Sequence, residues 1–315
     1  MYILGFDIGG TKCAVSTALW DGEKVTILRK EKCPTDLSVS PEQMIDKLIS
    51  LADRILEGKP DSIGVSSGGP LDSEHGVILG PPNLPGWGRV EIKRQIQEHY
   101  GVVTHLENDA NACAVAEWKF GAGRGTNNMV FLTFGTGLGA GLILDGRLYR
   151  GTNGNAGEAG HIRLAEEGPI GFGKAGSFEG FCSGGGIGRL AYRMALDAID
   201  RGIPVSYFKE GMSPSDVTAK AVADAARSGD GTAAEVYRIS GEHLGKGLSI
   251  LIDILNPERI VIGSVFTRSG DLLRESMMAE LEREALAPSL SVCEIVPAEL
   301  GENIGDYAAI AAALL

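Results

Sequence analysis

The residues of this chain that can do chemistry gather in two glycine-threonine segments and two polar clusters. Asp7-Ile8-Gly9-Gly10-Thr11-Lys12 and Thr133-Phe134-Gly135-Thr136-Gly137-Leu138-Gly139 each follow an apolar run that reads as a strand. Glycine lets backbone amides approach phosphate oxygens closely, threonine hydroxyls add donors, and an aspartate beside the loop can order a magnesium ion through its waters. One such loop would read as an ordinary strand-end turn. Two of them suit a clamp on the phosphates of ATP, with Asp7, Gly9, Gly10, Thr11 and Lys12 on one side and Thr133, Gly135, Thr136 and Gly137 on the other. Lys12 can neutralise phosphate charge there or stand as a solvated turn residue.

The first polar cluster is Glu107-Asn108-Asp109-Ala110-Asn111, where a strand ends and a helix starts. That position is the carboxyl edge of a sheet, where open α/β folds bind ligands. Asp109 can accept a proton from a substrate hydroxyl, and Asn108 offers both a donor and an acceptor. Either residue can instead cap the helix. The second cluster comprises Glu158 and His161 in glycine-rich text, followed by Glu179. Carboxylates and an imidazole set in glycine-rich backbone suit adjacent hydroxyls, as on a sugar; the alternative is a solvated loop.

The elements that must position these residues alternate between strand and helix. Strands are expected at Tyr2 to Asp7, Cys13 to Leu19 and Lys24 to Lys32, then at Ser62 to Ser66 and Val102 to Glu107. A helix is expected at 41–57, opened by Ser40-Pro41, and another at 89–99. A second sheet should start with Met129 to Phe134 and Leu138 to Leu144, with Asp145-Gly146 turning into Leu148-Tyr149. Helices follow at 186–200, 215–228 and 231–254, then a strand at Arg259 to Gly263, a helix at 270–286, a strand at Ser291 to Ile295 and a terminal helix at Asn303 to Leu314. The alternation defines an α/β protein. The boundary near Gly121-Ala122-Gly123 reads as a hinge.

Composition narrows the classes. The 315 residues carry 29 basic and 41 acidic side chains, a formal charge of −12, which argues against nucleic acid and against an anionic membrane surface as partners. No apolar stretch reaches the ~18 residues needed to span a bilayer, and Met1 leads straight into the first strand, so a cytoplasmic address is expected. The five cysteines are scattered, with no C-x-x-C pair, and read as reduced packing residues.

Two glycine patterns mislead. Gly168-Pro169-Ile170-Gly171-Phe172-Gly173-Lys174 spells most of a P-loop, but Ala175 stands where the hydroxyl residue belongs and no buried strand precedes it. The glycines after Gly135 continue into a strand and not a helix, which excludes the dinucleotide fingerprint.

Taken in order, these motifs resemble the ROK family (repressors, open reading frames and kinases), a branch of the actin-like ATPase superfamily. Asp7 to Lys12 resembles its first phosphate motif, Pro82-Asn83-Leu84-Pro85-Gly86-Trp87 its sugar-side loop, and Glu107 to Asn111 its catalytic segment. Thr133 to Gly139 resembles the second phosphate motif, and Gly151 to His161 the family signature. The resemblance implies a two-domain actin-like (ribonuclease H-like) fold with an interdomain cleft, residues 1–120 plus 301–315 forming the smaller domain and 121–300 the larger. It implies ATP with magnesium, Asp109 as general base, and sugar contacts from Gly69, Asn83, Asn108, Glu158, His161 and Glu179. Gly263 would lie on the adenosine side, where Ser264 replaces the usual second glycine. The reaction expected is phosphorylation of a hexose or N-acetylhexosamine, with glucose at C6 first and N-acetylmannosamine or another hexose as alternatives; a non-catalytic sugar sensor is the rival of another class.

The chain departs from the family in one place. Members commonly bind structural zinc through three cysteines, and here Ile170, Phe172 and Ser177 stand at those positions. No soft ligand is left, so no zinc is expected, with Ile170 and Phe172 packing where the metal sat and His161 kept for the sugar. The family's repressors carry a DNA-binding domain before the first phosphate motif; with that motif at residue 7, a kinase is the expectation. An apolar long helix at 231–254 suggests a homodimer.

Overall fold

The computed structural model describes every residue from Met1 to Leu315. In chain order the elements begin with β1 (Tyr2–Ile8), β2 (Lys12–Trp20), β3 (Val25–Pro34), α1 (Pro41–Ile55), β4 (Ser62–Ser67), β5 (Leu71–Asp72) and β6 (Val77–Ile78). Next come α2 (Ile92–Tyr100), β7 (Thr104–Asn108), α3 (Asp109–Phe120), β8 (Met129–Phe134), β9 (Leu138–Leu144), β10 (Arg147–Tyr149), β11 (Ile170–Gly171) and β12 (Lys174–Ala175). The remainder is α4 (Phe178–Cys182), α5 (Gly184–Asp200), α6 (Ala219–Arg227), α7 (Gly231–Leu255), β13 (Arg259–Ile262), α8 (Val265–Glu284), α9 (Ala287–Leu290), β14 (Glu294–Pro297) and α10 (Ile304–Ala312). The chain divides into two compact units, one of residues 1–127, 141–156 and 299–315, the other of 128–140 and 157–298.

The first unit is built on a five-stranded sheet ordered β3-β2-β1-β4-β7. β1, β2 and β3 are antiparallel neighbours, whereas β4 and β7 run parallel to β1. Parallel pairing needs crossovers, and α1 and α2 supply them. α1 starts where the sequence places it because Ser40 and Gln43 form a reciprocal capping box ahead of Pro41. Its Met44, Ile45, Leu48 and Ala52 join Leu4, Phe6, Val15, Val65 and Leu106 in one buried core. Burial of each such Leu or Ile side chain is worth about 2 kcal/mol.

The opposite sheet face carries α10. A methyl group on Gly64 would lie 2.0 Å from the Ala309 carbonyl oxygen, so the alanine-rich helix sits almost on the backbone of β4. Large side chains at either position would hold them apart. The sequence period finds α10 but not this approach. The buried Glu117 of α3 ties the following segment down by accepting N–H bonds from Ala122 at 2.8 Å, Leu300 at 2.9 Å and Glu299 at 3.2 Å.

In the second unit β8, β13 and β14 are parallel, and the first residues of β9 flank β8. The later residues of β9 pair with β10 and belong to the first unit. β8 and β13 read as unbroken apolar runs because both are central strands buried on both faces. α7 packs against α8, α6, α5 and α4. The helix expected at 270–286 starts earlier, at Val265, with Ser269 outside helical geometry where two segments join. The last strand forms at Glu294–Pro297, two residues beyond Ile295, and the short α9 comes before it.

Candidate active site

The first glycine loop is the tight connection from β1 to β2. Gly9 donates its N–H to the Lys12 carbonyl at 3.2 Å, and a methyl group on Gly10 would lie 2.3 Å from the Asn83 carbonyl oxygen. The loop after Pro82 therefore packs on the phosphate loop, a contact that requires glycine at position 10. Thr11 and Lys12 are exposed.

Asn83 has a second neighbour. A methyl on Gly68 would lie 3.1 Å from its Nδ2, and one on Gly69 would lie 3.2 Å from Asn108 Nδ2. Gly68-Gly69 thus runs between the amides of Asn83 and Asn108, with a cis peptide leading into Pro70. Backbone without side chains leaves both amides room to meet hydroxyl groups.

Asn108 caps α3: its Oδ1 accepts from Ala110 N at 3.0 Å and from Asn111 N at 3.3 Å. The cap uses the amide oxygen and leaves the Nδ2 donor over, so capping and ligand binding are compatible in one side chain. Asp109 is the first residue of the helix and is exposed, with Oδ1 accepting the Ala110 N–H at 2.9 Å. An exposed carboxylate at a helix start can receive a proton from a bound hydroxyl.

Beside this pair lies a residue whose role has no local signal in the sequence. Glu107 is 1% exposed, and its Oε1 accepts from Asn108 N and from Asn111 Nδ2, both at 3.0 Å. Its Oε2 accepts from Arg150 Nε at 2.7 Å. A charged strand-end residue beside Asn108 is visible in sequence, but its pairing with Arg150, more than forty positions on, has no local signal.

Asp7 is the penultimate residue of β1, on the sheet face toward α10 and opposite Ala14, which in turn pairs with Lys32. Desolvation raises its carboxyl to about pKa 6, and the Asp109 charge adds to the rise against Lys30, Lys12 and Lys32. Lys30 is held by the buried Asp306 of α10.

In the second unit Thr133 turns its hydroxyl inward, accepting from Gly139 N at 2.9 Å, and so shapes the second loop. The carbonyl of Gly135 accepts from Gly184 N at 2.7 Å, which joins that loop to the start of α5. Glu179 Oε2 accepts from Leu138 N at 3.1 Å, and a methyl on Gly137 would lie 2.8 Å from it. Glu158 and His161 flank and end a 3-10 turn and are both exposed. Gly160 packs on the Leu138 carbonyl and near Glu179 Cβ, so Glu158, His161, Glu179 and the phosphate loop form one neighbourhood. Gly263 directly follows β13 and lies near Phe131, and Ser264 adopts φ +53°, a conformation that favours glycine.

The family's zinc has no donor set here. Ser177 Oγ is taken up as the N-cap of α4, accepting from Gly180 N at 3.1 Å. Ile170 and Phe172 are 54% and 77% exposed, which corrects the expectation that they pack where a metal would sit. They occupy the small hairpin of β11 and β12, and the Phe172 ring meets His161 edge-on at 6.4 Å. No three His, Cys, Asp or Glu side chains form a set able to hold a metal ion.

Two α/β units, each with a glycine-threonine loop at a strand end, define a protein of the actin-like ATPase fold. The model of the ROK family matches residues 3–314, and the chain belongs to that family. It is 31% identical over 305 residues to a glucokinase of Streptomyces coelicolor, covering 96% of this chain and 94% of that protein. Among solved structures, a ROK hexokinase from Thermus thermophilus superposes with a TM-score of 0.80 at 29% identity, over 100% of this chain and 98% of that one. A ROK family glucokinase from Streptomyces griseus, in complex with glucose and AMPPNP, gives 0.79 at 28%, over 100% and 99%.

Proposed function

We propose that this protein transfers the γ-phosphoryl group of ATP to a hydroxyl of a hexose or N-acetylhexosamine, with glucose at C6 as the first substrate to test. The observation that carries this reading is the exposed Asp109 beside the free amide donor of Asn108, in a chain related along its length to glucokinases. Asp109 takes the proton as the sugar oxygen attacks phosphorus, which makes the oxygen a better nucleophile. Asn83, Asn108 and the Gly69 backbone orient the sugar, as do Glu158, His161 and Glu179. The amides of Gly10 and Gly137, with the Thr11 and Thr136 hydroxyls and Lys12, neutralise charge spreading over the transferred group, while Gly9, Thr133 and Gly135 shape the two loops through their own hydrogen bonds. Magnesium, arriving with ATP, would supply further charge neutralisation, and Asp7 is the residue to order it. Gly263 serves the adenosine side.

An ADP-release assay over a panel of hexoses, N-acetylglucosamine and N-acetylmannosamine tests the reading. Sugar-dependent turnover supports it, and the best substrate names the specificity. Saturable sugar binding without turnover would favour a sugar sensor instead. A cytoplasmic address follows from the use of ATP; no helix is long and apolar enough to cross a membrane. The homodimer is a reading for light scattering to test; most apolar residues of α7 are buried, and Ile254 near its end is exposed.

A further inference from the structure

An open pocket of about 390 Å³ in the first unit is lined by the polar residues Ser73, Glu74, Lys93, His105 and Arg150, with Leu106 and Leu315 completing its wall. Three of these can be cations and one is a carboxylate, in a chain whose formal charge is −12. Lys93 donates to the Glu74 carbonyl oxygen at 3.3 Å, a neutral partner. Burial, with Lys93 and Arg150 nearby, pushes the His105 imidazole below its usual range, as expected where positive charge is not cancelled by Glu74. Arg150 commits its Nε–H to Glu107 and has four further N–H bonds to offer. A guanidinium, an ammonium and an imidazole around a cavity of this size suit a tetrahedral dianion carrying a small organic group.

We propose that this pocket binds a phosphate dianion, free or as a sugar phosphomonoester, between Lys93, His105 and Arg150, and that occupancy loosens the Arg150–Glu107 pair. Glu107 holds Asn108 N–H and Asn111 Nδ2, so an anion on the other Arg150 N–H groups, by sharing the guanidinium charge, weakens its hold on Glu107 and slackens the segment bearing Asp109. The pocket then reports the level of phosphorylated product to the catalytic segment. That last step rests on the kinase reading; the binding does not.

The test is calorimetric titration of the whole protein at low salt with inorganic phosphate and, separately, glucose 6-phosphate, for the native chain, Lys93→Ala and His105→Gln. Hydrogen exchange of residues 107–111 is followed in the same samples. Expected are saturable binding, weakened about tenfold or more by Lys93→Ala as a charge-assisted bond is lost and less by His105→Gln as a neutral one is, and faster exchange of the Asn108 and Asn111 amides when phosphate binds. Tighter binding of glucose 6-phosphate assigns the ester, and equal binding the free anion; either supports the site. Absence of saturable binding, or equal affinity in both variants, which would place the anion at the ATP loops, overturns the proposal. Binding without a change in exchange overturns the coupling. Should Lys93→Ala fail to fold, Lys93→Gln, which keeps the side-chain stem, decides. No step requires sugar phosphorylation, so an inactive chain would sink the kinase reading and leave this result legible.

Discussion

Arg150 Nε lies 2.7 Å from Glu107 Oε2, and that carboxylate, almost wholly buried, also accepts the Asn108 N–H. A residue at the end of β10 thereby fixes the backbone that presents Asp109. Arg150→Met should leave a buried carboxylate without its cation and destabilise the fold by about 3 kcal/mol, the lower end of what breaking a buried pair costs, because Arg150 itself is part exposed. Denaturant unfolding reads the stability, and kcat should fall more than KM rises. Unchanged stability and kcat would show the pair to be idle.

Asp109→Asn should remove the proposed general base while keeping a polar side chain at the start of α3. Loss of such a group lowers turnover by about 10²–10⁴-fold. Because Asp109 is exposed, circular dichroism and melting temperature should barely move. Retention of full activity by a folded variant would assign the proton elsewhere.

Asp7 carries a pH signature in stability. Its carboxyl is raised from 3.8 to about 6 in the folded protein, chiefly by desolvation. The folded state therefore favours the protonated form, and the associated stability is full below about pH 3.8 and lost as pH rises through about 6. Asp7→Asn, which imitates the protonated form, should be more stable than the native chain by about 2–3 kcal/mol near neutral pH, at ~1.4 kcal/mol per unit. The advantage should vanish in acid. Urea unfolding at the two extremes measures it; an advantage independent of pH would contradict the assignment.

Zinc should be dispensable. Ile170 and Phe172 offer no donor, and Ser177 is spent on capping α4. Prolonged treatment with a strong chelator should leave the melting temperature unchanged, and metal analysis of the purified protein should find no stoichiometric zinc. A fall in melting temperature restored by added zinc would reveal ligands outside this hairpin.

Much of the molecule could be read from the chain alone, because the information is local. Periodicity placed the central strands β8 and β13, Ser40-Pro41 placed the start of α1, and glycine-threonine runs at strand ends marked both loops. The α/β class follows from that order of elements, and the actin-like fold from the resemblance of the ordered motifs to the ROK family. Other features were decided only by contacts distant in sequence. Asn108 was legible as a cap or as a ligand, and the structure shows that the cap consumes only its oxygen. The exposure of Ile170 and Phe172 depends on how the six-residue hairpin 170–175 sits, which composition does not encode. The Glu107–Arg150 pair and the seating of α10 on Gly64 join residues far apart along the chain. Such pairings arise from sheet order and close packing, and no periodicity announces them.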